Sequence, residues 1–502
     1  MQIDLTKLDR QRQSSLKWRD ARGIGALDLT PRFGKTFLAI QFIINPHLRV
    51  NNDNNVIIVV PSDIIVKHWI ENLKSYGEHL SRITVLSVSS AIDGKLSSIC
   101  TLLIVDEIQK FLTPAKKEVI DGTIIKHDYR LALTGTYPYG ISWVEELYPV
   151  VDKITEEEAV EHKWISPFVE YNILLELPQV DKARYERFSK PIYETLEMFR
   201  PIVSMLTREE GKRLFESEFD LIQACHNGFS TNSLRGDSIY ITYDKLCNTL
   251  AQLLGWHTNL DITIAENDEL NKLWSPHAIH NRAKVFMDYI KKRNEILIDH
   301  PAKMHMIGEI INMNTVPTIC FNESTKFADS VTEYINARFN PIYKAICYHS
   351  KIESRPMIDP TTGEFFLFTS GDRKGTPKIF GKDSIKKIVI QGMREGYYQF
   401  VSTAKALDEG IDIPTLEQVI CTGGSTNPMT YQQRTARGKT IDIYNPTKIT
   451  RIFNLVFDDF VNSEGELIKS RDKTKLIARQ IQSTSTIHWI KSLDEINFVN
   501  TE

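Results

Sequence analysis

Nearly unbroken apolar runs alternate with segments of helical periodicity in the first part of the chain. Val56–Val60 and Thr101–Val105 are runs of the kind found in strands that are buried on both faces of a sheet. Between them, Ile65, Trp69 and Leu73 recur at helical spacing, which predicts a helix with Trp69 in the core. Strands that alternate with helices indicate a parallel α/β sheet, and such sheets bind ligands at the carboxyl ends of their strands.

The same alternation returns after residue 300. Lys303–Met313 is predicted to be a helix and Thr318–Phe321 a strand, and a further strand, Ala345–Tyr348, ends at His349. A single histidine at a strand tip is more often structural or directed at nucleic acid than catalytic. The pattern therefore predicts a second α/β unit.

The residues between these two units follow a helical pattern. Residues 181–200 and 280–298 carry apolar side chains at helical spacing. The second helix has a predicted basic face of Arg282, Lys284, Lys291 and Arg293. Such a face either follows a phosphate backbone or is simply solvated, and the second interpretation is the more common. The predicted domains are 1–170, 171–300, 301–470 and a C-terminal extension, 471–502.

Residues 351–382 read as an insertion in the second unit. Asp359–Gly363 is predicted to be a turn, Phe365–Phe368 a strand and Arg373–Gly375 a basic tip. Two interpretations stay open, a pin that separates nucleic-acid strands or a surface decoration.

Composition narrows the class of protein. The 502 residues are 42% hydrophobic and 25% charged, which is ordinary globular usage, and the net charge of −3 leaves room only for a local basic groove. The six cysteines form no Cys-x-x-Cys pair, which indicates free thiols in a reducing compartment rather than disulfides or zinc. The sequence shows no signal segment and no run long enough to span a membrane. We therefore expect a cytoplasmic protein that does not engage a membrane.

The stretch from Leu29 to Thr36 is a candidate phosphate-binding loop. Gly34-Lys35-Thr36 opens an apolar helix, so backbone N–H groups would face an anion, Lys35 would reach the β- and γ-phosphates and Thr36 would place its hydroxyl on Mg²⁺. The preceding residues Arg32 and Phe33 would also line the nucleotide. Leu29 stands where the pattern has a glycine, and Arg32 stands where related motors have another.

Two carboxylates follow the strand that ends at Val105. Asp106 is predicted to hold Mg²⁺ and Glu107 to orient the attacking water, with an exposed acidic turn as the alternative. Upstream of the loop, Gln11 is a candidate reader of the adenine edge, since its amide both donates and accepts. Its alternative is an ordinary place on a surface helix.

In order along the chain, Gly34-Lys35-Thr36, Asp106-Glu107-Ile108-Gln109 and Leu133-Thr134-Gly135-Thr136 resemble the motifs of superfamily 2 helicases and translocases. Pro31–Thr36 and Glu156–Phe168 most resemble phage and restriction-type DNA motors, including recombination and branch-migration helicases. The resemblance implies two RecA-like parallel-sheet lobes of the P-loop NTPase fold, with the helical segment inserted between them. ATP and Mg²⁺ are the implied cofactors, and Gln109, Thr134 and Thr136 would couple the nucleotide to nucleic acid.

Two downstream segments extend the resemblance. Asp408–Pro414 resembles the fifth motif, which implies that Gly410 and Asp412 approach the nucleotide. The same motif would place Ser402 and Thr403 near the nucleic-acid backbone. Gln433–Lys439 resembles the sixth motif.

Within the sixth motif, Arg437 aligns with the arginine finger that acts on the γ-phosphate, and Gln433 and Arg434 would line the nucleotide. A guanidinium suits this task because it is always charged and presents a planar fork of donors. The second arginine of the family would fall at Thr440. A surface basic cluster is the alternative interpretation.

The resemblance implies an ATP-dependent DNA helicase or translocase that acts on single-stranded, forked or branched DNA in recombination, repair or replication. Replication or recombination proteins would be its partners, and the location would be the host cytoplasm if the protein is viral. Two other functions stay open, an RNA-directed ATPase and a nucleotide-binding scaffold without motor activity.

Overall fold

The computed structural model describes residues 5–94, 98–205, 215–230, 276–404, 413–423, 428–462, 464–480 and 487–496. The chain forms two compact units. Unit 1 comprises Met1–Leu174, Ala302–Val456 and Lys473–Glu502, and unit 2 comprises Leu175–Pro301 and Phe457–Asp472. Both large sheets belong to unit 1.

The first lobe of unit 1 is a six-stranded sheet in the order β3-β2-β4-β5-β1-β6, and all its pairings are parallel. Its elements are α1 (Leu5–Asp20), β1 (Ile24–Leu29), α2 (Lys35–Leu38), a π-helix (Ala39–Ile44), α3 (Asn45–Val50), β2 (Val56–Val60), α4 (Asp63–Tyr76), β3 (Ile83–Ser87), α5 (Val88–Asp93), β4 (Ser98–Asp106), α6 (Pro114–Ile120), β5 (Ile125–Thr134), α7 (Ser142–Leu147), β6 (Val150–Ile154) and α8 (Glu156–Glu161). Single 3₁₀ turns lie at Leu80–Arg82 and Ile108–Lys110. Separate apolar clusters cover the two faces of this sheet, as its apolar runs predict.

The second lobe is a seven-stranded sheet in the order β17-β7-β14-β13-β8-β12-β9. Its elements are β7 (Phe168–Leu175), α12 (Pro301–Met313), β8 (Thr318–Asn322), α13 (Thr325–Phe339), β9 (Ala345–His349), α14 (Lys382–Arg394), β12 (Phe400–Ala404), β13 (Gln418–Cys421), α15 (Pro428–Thr435), β14 (Thr450–Phe457), α16 (Lys473–Gln480) and β17 (Ile487–Ile490). The pairings β17/β7, β14/β13, β13/β8, β8/β12 and β12/β9 are parallel. The prediction of two parallel-sheet α/β lobes with a helical segment between them is confirmed.

Two strands of this second sheet come from outside the predicted range 301–470. β7 directly follows the first lobe, and β17 lies in the predicted C-terminal extension, yet the two strands pair with each other. In the opposite direction, Phe457–Asp472 groups with the helices of unit 2. The second lobe is therefore assembled from three separate stretches of chain.

Unit 2 contains α9 (Gln179–Met205), α10 (Glu218–Ser230), α11 (Pro276–Ile298) and the antiparallel pair β15 (Phe460–Val461) and β16 (Leu467–Ile468). The basic face predicted for α11 requires a correction. Lys284 and Lys291 are exposed, but Arg293 is buried, and its guanidinium lies over the Tyr185 ring at 5.6 Å. Arg293 therefore cannot follow a phosphate backbone.

The insertion between β9 and α14 is an irregular β structure. Its two-residue strands β10 (Arg355–Pro356) and β11 (Ile379–Phe380) pair antiparallel, and the turn predicted at Asp359 is present, closed by Gly363 N–H donating to the Asp359 carbonyl at 2.8 Å. The strand predicted at Phe365–Phe368 forms only isolated bridges. No helix in the described ranges is both long and apolar enough to cross a bilayer. The five described cysteines are buried and free.

Helix α1 is fixed to strand β6 by a buried carboxylate. Asp152 accepts hydrogen bonds from Arg10 at 2.6 Å and from Lys17 at 2.6 Å, and Arg10 also contacts Glu158 at 3.2 Å. Burial alone would raise the pKa of Asp152, but the hydrogen bonds from Arg10 and Lys17 outweigh it and lower that pKa. This attachment holds α1 beside the phosphate-loop segment.

Asp152→Asn removes the charge while keeping the shape. It should lower the free energy of unfolding at pH 7 by about 1–2 kcal/mol, because half-buried Arg10 loses its closest ion-pair partner and keeps only its ion pair with Glu158. The folded-state pKa of Asp152 is lowered, so its contribution is complete above the ordinary carboxyl pKa and is lost as pH falls through the folded-state value. Denaturant unfolding should therefore show a difference between wild type and variant that shrinks in acid, and a difference independent of pH would contradict this assignment.

Candidate nucleotide-binding site

The loop after β1 has the backbone of an anion-binding turn. Gly34 has a φ of +93°, and a Cβ there would lie 2.7 Å from Gln11 Nε2, so only glycine fits. Lys35 begins the helix, and its ammonium donates to the Leu29 carbonyl at 3.4 Å. The Leu29 side chain is fully buried in the core at the end of β1, which explains why this position accepts a side chain in place of glycine. Arg32 also has a left-handed φ, of +71°.

Gln11 is buried against this loop. Its Nε2 donates to the Phe33 carbonyl at 2.8 Å, and only 4% of the residue is exposed. The contact fixes the loop from the side of α1. The amide therefore has a structural partner in the loop itself, and its predicted role as a reader of adenine stays a prediction.

Three charged groups converge where the carboxyl ends of β4 and β5 meet. Lys35 Nζ lies 3.6 Å from Glu107 Oε1, and a Cβ on Gly135 would lie 3.0 Å from Lys35 Nζ. Burial, followed by the charge of Glu107, raises the pKa of the Asp106 carboxyl to about 6, while the Trp69 N–H and the Lys35 ammonium act in the opposite direction. The buried Asp106 carboxylate, the half-buried Glu107 carboxylate and one ammonium suit a site that receives a further cation.

Trp69 has a polar function that the sequence pattern did not reveal. Its ring is fully buried, as predicted, but its Nε1–H donates to Asp106 Oδ2 at 2.8 Å. A buried indole N–H requires a hydrogen-bond acceptor, and this requirement could have indicated a polar partner for Trp69 from the sequence. Trp69 leaves the second carboxylate oxygen of Asp106 for another partner.

A chain of hydrogen bonds leads from Glu107 to the second lobe. Gln109 Nε2 donates to Glu107, and Gln109 Oε1 accepts from the Thr134 hydroxyl at 2.7 Å. The Thr136 N–H donates to Thr134 Oγ1 at 2.9 Å, and the Thr136 hydroxyl donates to Gln432 Oε1 at 3.4 Å. We call these five residues the relay. The sequence predicted Gln109, Thr134 and Thr136 as coupling residues and Glu107 as catalytic, whereas it did not indicate Gln432.

The two predicted arginines of the sixth motif have different surroundings. The Arg434 guanidinium lies over the Phe321 ring at 5.4 Å and donates to the Gly423 carbonyl at 3.2 Å, so it is held inside the second lobe. Arg437 is also buried, one turn later, and its N–H donates to the Arg434 carbonyl at 3.2 Å. Both arginines are therefore buried within the second lobe, and the finger role of Arg437 stays a prediction.

Lys448 ties the segment after the fifth motif to the sixth. Its buried ammonium donates to the Pro414 carbonyl at 2.6 Å, Leu416 at 3.1 Å, Gly438 at 3.1 Å and Thr440 at 2.5 Å. These four carbonyl oxygens are acceptors for the buried ammonium. Sequence reasoning missed this lysine because no motif marks it.

Only some of the residues predicted from the fifth motif lie within the described ranges. Gly410 and Asp412 lie outside the described residues. Ser402 and Thr403 are fully buried in β12, and Ser402 Oγ accepts from Asn322 Nδ2 at 2.9 Å. Neither side chain is exposed to a nucleic-acid backbone in this structure, because both are fully buried in the second lobe.

The segment that joins the lobes contacts the sixth motif. Ser166 N–H donates to the Lys439 carbonyl at 2.9 Å, and its hydroxyl donates to the Thr440 carbonyl at 2.9 Å. The Lys439 ammonium pairs with Glu156 of the first lobe at 2.6 Å and lies 3.6 Å from the Phe168 ring centroid. The sixth motif is thus bound to the first lobe and to the connecting segment.

The oxygen ligands at the cleft are of the kind that Mg²⁺ prefers. This ion prefers hard oxygen ligands, and the Asp106 carboxylate and Thr36 hydroxyl supply that chemistry beside the loop. A second group of potential ligands, Asp329, Cys347 and His349, lies in the second lobe among the described residues. It does not suit a metal, because His349 Nδ1 accepts from Lys351 N–H at 3.2 Å, which leaves Nε2 to donate to Asp329 at 3.1 Å.

Comparison with known proteins adds an independent line of evidence. Residues 375–439 match the helicase conserved C-terminal domain. Over 457 residues the chain is 21% identical to the DNA 3'-5' translocase XPB2 of Sulfurisphaera tokodaii, covering 86% of this chain and 77% of that protein.

Two solved structures are similar. The Hef helicase domain of Pyrococcus furiosus is 14% identical with a TM-score of 0.44, covering 91% of this chain and 97% of that one. The ATP-dependent Type ISP restriction-modification enzyme LlaBIII bound to DNA is 10% identical with a TM-score of 0.49, covering 99% of this chain and 32% of that one. At these TM-scores the likeness carries no inference about the site. The matched C-terminal domain and the relative, together with the ordered motifs on two parallel-sheet lobes, support the resemblance of the chain to superfamily 2 helicases and translocases.

Proposed function

We propose that this protein hydrolyses ATP in the cleft between its two lobes and couples hydrolysis to movement on, or remodelling of, DNA. The observation that carries the proposal is the relay, which leads from the predicted catalytic carboxylate Glu107 to Gln432 of the other lobe. A change at the nucleotide thereby alters contacts of the second lobe. Such coupling between lobes is what a nucleic-acid motor requires.

Each residue of the first lobe has a role in this mechanism. The Lys35 ammonium exchanges its present contacts with Glu107 and the Leu29 carbonyl for the phosphates of ATP, which frees Glu107 to orient water. Mg²⁺, held by Asp106 and Thr36, would neutralise phosphate charge when bound. Trp69 keeps Asp106 in a fixed rotamer for this purpose. The residues therefore divide between binding, orientation and coupling.

From the second lobe, Arg437 supplies the charge that stabilises the transferring phosphoryl group. Its peptide is positioned by the segment that Lys448, Ser166 and Lys439 hold in place. Because Arg437 and Lys35 come from different lobes, hydrolysis depends on their closure. ATP binding favours the closed state and product release the open state, which gives a stepping cycle.

DNA is the substrate that the relatives favour, since the matched relative is named a DNA translocase. Forked or branched DNA in recombination, repair or replication, with proteins of those processes as partners, is the finer form of the proposal. No feature of the described residues favours RNA or a scaffold without ATPase activity.

The direct test is the ATPase rate against single-stranded, duplex, forked and four-way DNA and against RNA. We expect stimulation by DNA, greatest for forked or branched forms, and weak stimulation by RNA. Stimulation by RNA alone would make the protein an RNA-directed ATPase. If no ATPase activity is found under any condition, the remaining function is a nucleotide-binding scaffold without motor activity.

Lys35→Ala and Glu107→Gln separate binding from chemistry. Both should abolish turnover, Lys35→Ala because phosphate charge is uncompensated and Glu107→Gln because water is no longer oriented. Equilibrium binding of a labelled ATP analogue should be weak for Lys35→Ala and retained for Glu107→Gln. Equal affinity of the two variants would contradict these roles.

Arg437→Ala should leave ATP affinity close to wild type while lowering turnover by about three to five orders of magnitude, because an arginine finger acts on the transition state. Arg437→Lys should rescue little, since an ammonium lacks the planar fork. Single-turnover hydrolysis measures both effects. Arg434→Ala is the matched control, and it should act mainly by lowering the thermal unfolding midpoint, because Arg434 is held against Phe321. A larger catalytic loss with a normal midpoint in Arg434→Ala would reverse the assignment.

A further inference from the structure

Arg32 adopts a backbone conformation that residues other than glycine rarely adopt. Its φ is +71°, and the neighbouring Gly34 is left-handed as well. Among the described non-glycine residues with positive φ, Arg32 and Glu107 lie in the nucleotide site. Strained backbone of this kind persists only where surrounding contacts impose it, and it concentrates at functional sites. Glycine would be the unstrained choice in this loop, so the arginine side chain needs a separate explanation.

The side chain of Arg32 reaches the second lobe. Its Nε–H donates to the carbonyl oxygen of Ala436 at 3.2 Å, across 404 positions of sequence. That oxygen also accepts from Lys439 N–H at 3.2 Å, so it lies in the turn that ends α15. A cation at the carboxyl end of a helical turn is electrostatically favourable.

The bonded carbonyl belongs to the peptide unit that joins Ala436 to Arg437. Fixing its oxygen fixes the plane of this peptide and hence the direction in which the Arg437 side chain leaves the backbone. Arg32 therefore acts on the predicted finger through the main chain.

The other end of the connection is also anchored. Lys7 Nζ donates to the Arg32 carbonyl at 3.1 Å and to the Trp164 carbonyl at 2.9 Å, and it lies 5.7 Å from the centroid of the Phe33 ring. Phe33 in turn packs edge to face against Trp164, with ring centroids 5.3 Å apart. A rigid anchor on the first-lobe side is what makes the cross-lobe hydrogen bond able to position its partner.

We propose that Arg32 is a positioning residue of the phosphate loop that orients the Arg437 finger through the Ala436 carbonyl. The inference deepens the proposed ATP hydrolysis and rests on it. It differs from a simple phosphate-ligand role for Arg32, because a ligand of the ground state would mainly change the KM for ATP, whereas a residue that orients the finger changes kcat.

Arg32→Gly tests this directly, and the chain offers a matched control. Arg22 is also an arginine with a left-handed φ, of +60°, but it lies exposed in the turn between α1 and β1. Both glycine substitutions relieve the same backbone strain, so neither variant should have a lower thermal unfolding midpoint than wild type. Arg32→Gly should lower the DNA-stimulated kcat by about tenfold or more, the usual effect of losing a hydrogen bond to a charged group, with KM for ATP close to wild type. Arg22→Gly should match wild type in both constants.

Arg32→Lys provides a second variant in case Arg32→Gly folds poorly. It keeps the positive charge, but the lysine ammonium lies one bond beyond the position of Nε and lacks the planar donor geometry that reaches the Ala436 carbonyl, so its kcat should fall as in Arg32→Gly. Combining Arg32→Gly with Arg437→Ala should cause little loss beyond Arg437→Ala alone in single-turnover hydrolysis, because the two residues act through one group.

Three outcomes would overturn the inference. These are wild-type kcat in Arg32→Gly and Arg32→Lys, a raised KM with unchanged kcat, and additive losses in the double variant. Absence of DNA-stimulated hydrolysis in wild type would refute the proposed function itself. If the wild type is active and Arg32→Gly leaves kcat unchanged, only the role of Arg32 is refuted.

Discussion

The Thr134 hydroxyl is the hydrogen-bonding group on which the cleft depends. It is fully buried at the carboxyl end of β5, donates to Gln109 and accepts from the Thr136 N–H. A buried hydroxyl with both kinds of partner fixes the two groups relative to each other, and loss of either partner leaves a desolvated polar atom. The Thr134 side chain therefore links Glu107 on one side of the relay to Gln432 on the other.

Other contacts between the lobes converge on the same few residues of the second lobe. Arg32 bonds the Ala436 carbonyl, and Lys439 pairs with Glu156 while Ser166 holds its carbonyl. The sixth motif is thus approached from the phosphate loop, from the helix after β6 and from the connecting segment. In the proposed mechanism these contacts between the lobes act together with the relay to couple closure to hydrolysis.

Much of this architecture was predictable from sequence. Val56–Val60 and Thr101–Val105 were predictable as buried parallel strands because apolar residues fill both faces, and they lie in β2 and β4. Lys35, Asp106 and Glu107 were predictable as site residues because they follow strands, and parallel strands bring their carboxyl ends to one edge. Their chemical roles stay predictions.

The remainder depends on tertiary contacts that local patterns do not encode. The strand β17 has only four residues, and nothing in Ile487–Ile490 indicates a partner more than 300 residues earlier. Trp69 and Lys448 have polar roles because of what lies opposite them in space. Ser402 and Thr403 were predicted to lie near the nucleic-acid backbone because they match a motif, whereas both side chains are fully buried on the faces of the central strand β12.

The central claim is that the relay couples nucleic acid to hydrolysis, and Thr134→Val tests it most directly. The substitution replaces the hydroxyl with a methyl group of nearly the same size and interrupts the relay at its centre. The account predicts that the ratio of ATPase rates with and without DNA falls about tenfold or more, while the affinities for ATP and DNA stay close to wild type. Thr332→Val, the same change in helix α13, where the hydroxyl donates to the Ala328 carbonyl and lies outside the relay, should leave the ratio unchanged. An unchanged ratio in Thr134→Val, in a protein that hydrolyses ATP and binds DNA normally, would contradict the account.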